Sequence, residues 1–233
     1  MRSALPPPKS ASDLLRDRAE TAGRTGDADS QPTLRELFSE TVTDGAAMAF
    51  MLAQIAPAKG PVLWISDHLS RREAGVLCMA GVDTALGGGS GRIDILRVDL
   101  SKAVDVLWAM EQGLGCQALG GVVGEIWGDP PALDFTATKR LALRAEAHAV
   151  PAWLVRRAGT ANLSAARARW HLSSLASLPN PHDMHAPGQP LWHAQLFRSR
   201  WGTPGDWVAR RNNGALHLDH RVENRTPEQV RHA

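Results

Sequence analysis

"VTDGAAMAFML", Val42 to Leu52, decides how the rest of the chain is read. It joins a short extended run to an amphipathic helix, the junction that in a nucleotide-hydrolysing α/β protein carries G-x-x-x-x-G-K-[ST]. There the backbone amides and a lysine cradle phosphates. Here Ala46, Ala47 and Met48 follow Gly45, and no Lys-Ser or Lys-Thr pair appears. The strand-to-helix frame is present while its anion-binding groups are not.

Outward from this junction, Leu34 to Val42 reads as a strand. Asp44 caps a helix running to about Ile55, with Met48, Met51, Leu52 and Ile55 on one face, and Pro57 and Gly60 end it. "PVLWIS", Pro61 to Ser66, is a short, nearly continuous apolar run of the kind buried on both faces of a parallel sheet. A helix from about Arg71 to Ala80 follows, closed by Gly81. "RIDILRV" (Arg92 to Val98) is a strand and Ser101 to Gln112 a helix. "ALGGVVGEIW" (Ala118 to Trp127) is a strand, Thr136 to His148 a helix, and "VPAWLVR" (Val150 to Arg156) a strand.

Strands alternating with helices at this spacing imply right-handed crossovers and a mainly parallel sheet flanked by helices, so the fold class is α/β. Beyond Leu178 the pattern changes. Pro179, Pro181, Pro187 and Pro190 mark a loop, after which "LWHAQLFRSR", "DWVARR" and "ALHLDH" alternate like antiparallel strands. Turns at Gly202-Thr203-Pro204-Gly205 and Asn212-Asn213-Gly214 make these a C-terminal antiparallel extension.

The chain has 233 residues, 43% of them apolar and 21% charged, enough for one sizeable core. Residues 1–31, with their Pro-Pro-Pro run, lack large apolar groups and read as a disordered tail in which Ser12 starts a short helix to Glu20. The main domain is expected over 32–220, with a flexible tail over 221–233. No run reaches the roughly 18 apolar residues of a membrane span, and the first residues have no apolar signal core, so a cytoplasmic protein is expected. Cys78 and Cys116 are the only cysteines and read as small buried or inert side chains. From Val150 onward the chain carries 11 Lys/Arg against 5 Asp/Glu, so the basic character is concentrated in its C-terminal third.

Several residue groups suggest chemistry. The run Gly87-Gly88-Gly89-Ser90-Gly91 precedes a strand and leads into no helix, which fits a flexible loop better than a phosphate cradle. Glu125 lies near a strand end, where a nucleotide enzyme places a magnesium-holding carboxylate. Asp67 and His68 follow the "PVLWIS" strand and read as a general-base pair or, more simply, a surface turn. His182, His185 and His193 bracket the proline-rich loop at weak zinc spacing. Arg156, Arg157, Arg167, Arg169, Arg198, Arg200, Arg210 and Arg211 interleave with Trp170 and Trp201. Such a pattern can hold phosphates and stack bases, or anchor a protein interface. Trp153, Trp170, Trp192 and Trp207 serve equally as core.

The order of these segments resembles the ImuA family of bacterial damage-inducible mutagenesis proteins from about Leu34 to Leu218. The resemblance rests chiefly on "GEIWGDPPALDFTATKRLALRAE", "SAARARW" (Ser164 to Trp170) and the arginine-rich hairpin that ends the domain. ImuA proteins are in turn similar to the RecA core. The resemblance therefore implies a RecA-like sheet in which Val42 to Phe50 is a degenerate phosphate loop and Asp44, Gly45, Asp67 and Glu125 line a degenerate nucleotide crevice. It further implies an accessory, non-enzymatic role without a cofactor in SOS-induced translesion synthesis. The partners it implies are an ImuB-like inactive Y-family protein, an error-prone DnaE-type polymerase and RecA itself. Connections where RecA proteins carry DNA-binding loops are short here (Trp127 to Phe135 and Gly159 to Ala165), and Arg156 stands where a RecA protein senses phosphate. Direct DNA binding through the basic C-terminal third, or weak nucleotide binding, are the alternatives.

Overall fold

The computed structural model describes residues 31–55, 60–85, 93–183, 185–212 and 215–220. The expected tail up to residue 30, the glycine run, Asn213-Gly214 and residues 221–233 lie outside these. The strands are β1 (Leu34–Ser39), β2 (Val62–Asp67), β3 (Ile95–Leu100), β4 (Gly121–Trp127), β5 (Ala152–Arg157), β6 (Ala168–Leu175), β7 (Leu191–Ser199), β8 (Gly205–Asn212) and β9 (Ala215–His220). The helices are α1 (Ala46–Leu52), α2 (His68–Ala74), α3 (Met79–Ala85), α4 (Ala103–Gly113) and α5 (Phe135–His148).

All nine strands form one sheet in the order β3-β2-β4-β5-β1-β6-β7-β8-β9. The first six are parallel and β7 to β9 continue the sheet antiparallel. The α/β class with a C-terminal antiparallel part is thus the observed architecture. Side chains alternate across each strand, so the sheet separates two apolar layers. One, on the α1 face, contains Leu37, Phe50, Trp64, Val123, Trp153, Trp170 and Trp207. The other, under α4 and α5, contains Leu34, Ile65, Met110, Ile126, Leu141 and Leu154. Trp153, Trp170, Trp192 and Trp207 are all buried core. Phe50 of α1 packs at a tilt against Trp170 (5.0 Å), which packs likewise against Trp207 (5.7 Å), and this row ties the helix to the antiparallel extension.

A Cβ on Gly124 would collide with the Met110 thioether, so a side chain there would force that methionine to shift. Asp134 caps α5 by accepting from the Ala137 N–H at 2.7 Å, and Ala149 closes it in the left-handed region at φ 55°.

Three expectations need correction. The predicted helix from Arg71 to Ala80 is two short helices, α2 and α3, broken at Gly75 with φ 84°, while Gly81 lies inside α3. β6 falls in a stretch to which no element is assigned from sequence. Its crossover from β5 passes over β1 without a helix, so the alternation that marks the other parallel strands is missing there. Cys78 and Cys116 are both exposed. Among the described residues no helix is long and apolar enough to cross a membrane.

Candidate functional site

In an open α/β sheet, ligands bind outside the carboxyl ends of the strands. Here charged residues of β1, β4, β5 and β6, with the loops that follow β1, β4 and β5, form two clusters, one on each face.

On the α1 face, Glu125 extends the alternation of Val123 and is buried. Its Oε2 accepts from Trp64 Nε1 (3.0 Å) and Ser66 Oγ (2.7 Å), and its Oε1 accepts from Arg157 Nη2 (3.1 Å). Arg157, at the end of β5, also donates to the Val42 carbonyl at 3.2 Å, pinning the segment that leads into α1. At the start of α1, the Ala46 N–H donates to Asp44 Oδ1 (2.8 Å), while Ser174 donates to Asp44 through both its N–H and its Oγ (2.7 Å each). Burial opposes ionisation of Asp44. The hydrogen bonds from Ser174 and Ala46 and the charge of Arg157 outweigh it and hold the carboxyl below its ordinary value. A carboxylate of the chain thus accepts from an amide of the first turn of α1.

On the opposite face, Glu36 of β1 is fully buried between two guanidinium groups. Arg169 Nε donates to its Oε2 at 2.6 Å, and Arg156 Nη1 to its Oε1 at 3.3 Å. Strand register makes this possible, since Glu36 lies beside Arg169 across β1 and β6. Arg156 also donates through Nη2 to the Gly128 carbonyl (3.2 Å) and to Asp129 Oδ1. Asp129 in turn accepts from the N–H and Oγ1 of Thr160, which joins the loop after β4 to the loop after β5. Phe38 and Phe197 close the cluster from the side, with guanidinium carbons 5.0 to 5.5 Å from their ring centres. His171 packs between these two phenyl rings, and burial, with the nearby charge of Arg169, pushes its pKa below 6.5.

Asp67 is buried and caps α2 by accepting from the Ser70 N–H (2.6 Å), while its other oxygen accepts from the Trp127 N–H (2.9 Å). It is therefore neither the surface turn nor the partner of His68, which is exposed. Gly45 is the exposed cap position of α1. His193 Nε2 lies 2.7 Å from Asp206 Oδ1, and no group of three or more His, Cys, Asp or Glu that could hold a metal ion occurs among the described residues.

The eight arginines divide. Arg156, Arg157 and Arg169 are interior, and Arg167 grips Glu146 in a two-point pair at 2.6 and 3.0 Å. That pair lowers the Glu146 pKa and raises that of Arg167. Arg210 pairs with Asp219 at 3.1 Å, and Arg211 is half-buried, which lowers its pKa. Arg198 and Arg200 are exposed, and Arg200 lies over the exposed ring of Trp201 at 5.8 Å. Glu36 and Asp129, the acids that organise the interior arginines, were not singled out from sequence. The signal was present in "LRELF", where charged residues interrupt a strand otherwise suited to burial on both faces.

The fold and these clusters define an α/β protein in which buried acids are paired with arginines on both faces of the sheet. No family model matches the chain. It is 28% identical over 180 residues to "Protein ImuA" of Caulobacter vibrioides, from strains NA1000 / CB15N and ATCC 19089 / CIP 103742 / CB 15. The matched region covers 70% of this chain and 68% of the relative. That similarity supports an ImuA-family relationship.

Proposed function

We propose that this chain is a non-catalytic accessory protein of SOS-induced error-prone translesion synthesis, a RecA-like scaffold that works through protein contacts. Its partners in this reading are an ImuB-like inactive Y-family protein, an error-prone DnaE-type polymerase complex and RecA. One observation carries the reading beyond the family relationship. Glu125, the carboxylate best placed to hold magnesium, spends both oxygens on Trp64, Ser66 and Arg157. Asp44 puts negative charge at the start of α1, where a nucleotide phosphate would sit. A crevice arranged this way favours a rigid platform over a phosphate-handling site.

The exposed Arg198, Arg200 and Trp201 are the part of the basic C-terminal third best suited to an acidic partner surface. The test is affinity for the purified ImuB-like partner. Arg198→Glu/Arg200→Glu should weaken binding about tenfold, roughly 1.4 kcal/mol, with the unfolding midpoint unchanged. Undiminished binding places the contact elsewhere, and no binding by the unmodified chain removes the scaffold reading.

The same arginine-and-tryptophan group supports a second reading, contact with single-stranded DNA through phosphate pairing and base stacking. Binding to an oligonucleotide that falls steeply with added salt would favour it, and none at low salt would end it.

A further inference from the structure

We propose that β3 is a self-complementary edge through which two copies of this chain join their sheets, pairing antiparallel about Val98. The proposal is independent of the mutagenesis reading.

β3 lies at one margin of the sheet and pairs only with β2 among the described strands. The Val62 N–H donates to the Asp94 carbonyl at 2.8 Å, which fixes which groups face inward. Along a strand the N–H and C=O of one residue point the same way and alternate from residue to residue. Asp94, Leu96, Val98 and Leu100 therefore turn their backbone groups toward β2. Those of Ile95, Arg97 and Asp99 point out from the margin.

An antiparallel partner must match outward groups with outward groups, which restricts a two-fold pairing of β3 with itself to a few registers. Centring on Arg97 sets guanidinium against guanidinium, and centring on Asp99 sets carboxylate against carboxylate; both are disfavoured by like charge. Centring on Val98 places Arg97 opposite Asp99 of the second copy and Asp99 opposite its Arg97, so both charge pairs are favourable and both are hydrogen-bonded backbone positions.

The other face agrees. Val98 meets its own copy, Leu96 meets Leu100, and all three are apolar. Leu96 is 51% exposed in the single chain, an unusual position for leucine on an edge strand. Within one copy, Arg97 already donates to Asp99 through Nε (3.0 Å) and Nη2 (2.8 Å), and Arg71 reaches Asp99 at 3.0 Å. The dimer exchanges the first of these pairs for its intermolecular equivalent, so no charge loses its partner. An edge built only to block pairing would not present opposite charges in self-matching order. The isologous contact is the closed, two-fold kind.

Sedimentation equilibrium of the full chain across a hundredfold range of concentration tests this. The expected result is a reversible monomer–dimer equilibrium. Arg97→Asp alone and Asp99→Arg alone should each shift it toward monomer by tenfold or more in dissociation constant. The exchanged double variant, Arg97→Asp with Asp99→Arg, should recover dimerisation because each new charge again meets its opposite. Unfolding midpoints measured alongside separate loss of fold from loss of contact, and rescue by the double variant excludes a folding defect. A chain that stays monomeric throughout, or a dimer indifferent to both single reversals, overturns the proposal.

Discussion

Glu36 sits in the sheet interior with Arg156 on one side and Arg169 on the other, and the two guanidinium groups share its two oxygens. Removing one member of a buried ionic cluster is costly because the others keep their charge without compensation. Glu36→Gln is therefore expected to destabilise the protein by about 3–5 kcal/mol in urea unfolding. A loss below about 1 kcal/mol, the range of a surface pair, would show that water reaches the cluster. His171 supplies a pH dependence. Its folded pKa lies below 6.5, so as pH falls through 6.5 the unfolded chain takes up the proton first and stability declines until the folded value is reached. Asp44 and Glu146, also depressed, act lower on the scale. Their contribution is present above their ordinary 3.8 and 4.5 and is lost as pH falls through their folded values. His171→Phe, placing a third phenyl beside Phe38 and Phe197, should flatten only the upper part of the stability-against-pH curve, measured by thermal melts from pH 8 to 4.

At the scale of elements, the antiparallel extension depends on the Phe50, Trp170 and Trp207 row that joins α1 to β6 and β8. Trp170→Ala removes the middle ring and should cost about 3–5 kcal/mol, read from the denaturant midpoint. The β1-to-β5 strands and their helices, the α2–α3 pair excepted, were legible in sequence because apolar runs such as "VLWIS" and "GGVVGEIW" alternate with amphipathic stretches. β6 was not, since its crossover carries no helix and its sequence mixes Arg169, His171 and two serines with the apolar positions. Arg169 and His171 fit because their face of β6 is lined by an ionic cluster in place of aliphatic packing, and Ser174, on the other face, binds Asp44. The same fact hid half of the candidate site. Arginines read as outward-facing from local sequence are interior when a distant acid meets them, and the 133-residue separation of Arg169 from Glu36 has no local trace.

Over the whole molecule, the sheet binds its own charges at the place where related architectures bind ligands. Two clusters, one per face, tie β1, β4, β5 and β6 together, while Arg198, Arg200 and Trp201 remain exposed on the extension. Calorimetric titration of the purified chain with ATP and magnesium tests most directly whether the Glu125–Arg157 pair leaves room for a nucleotide. Injections reaching millimolar nucleotide should give only heats of dilution. Saturable binding that weakens on Glu125→Gln would mean that the Glu125–Arg157 pair opens for a ligand, which the scaffold account forbids.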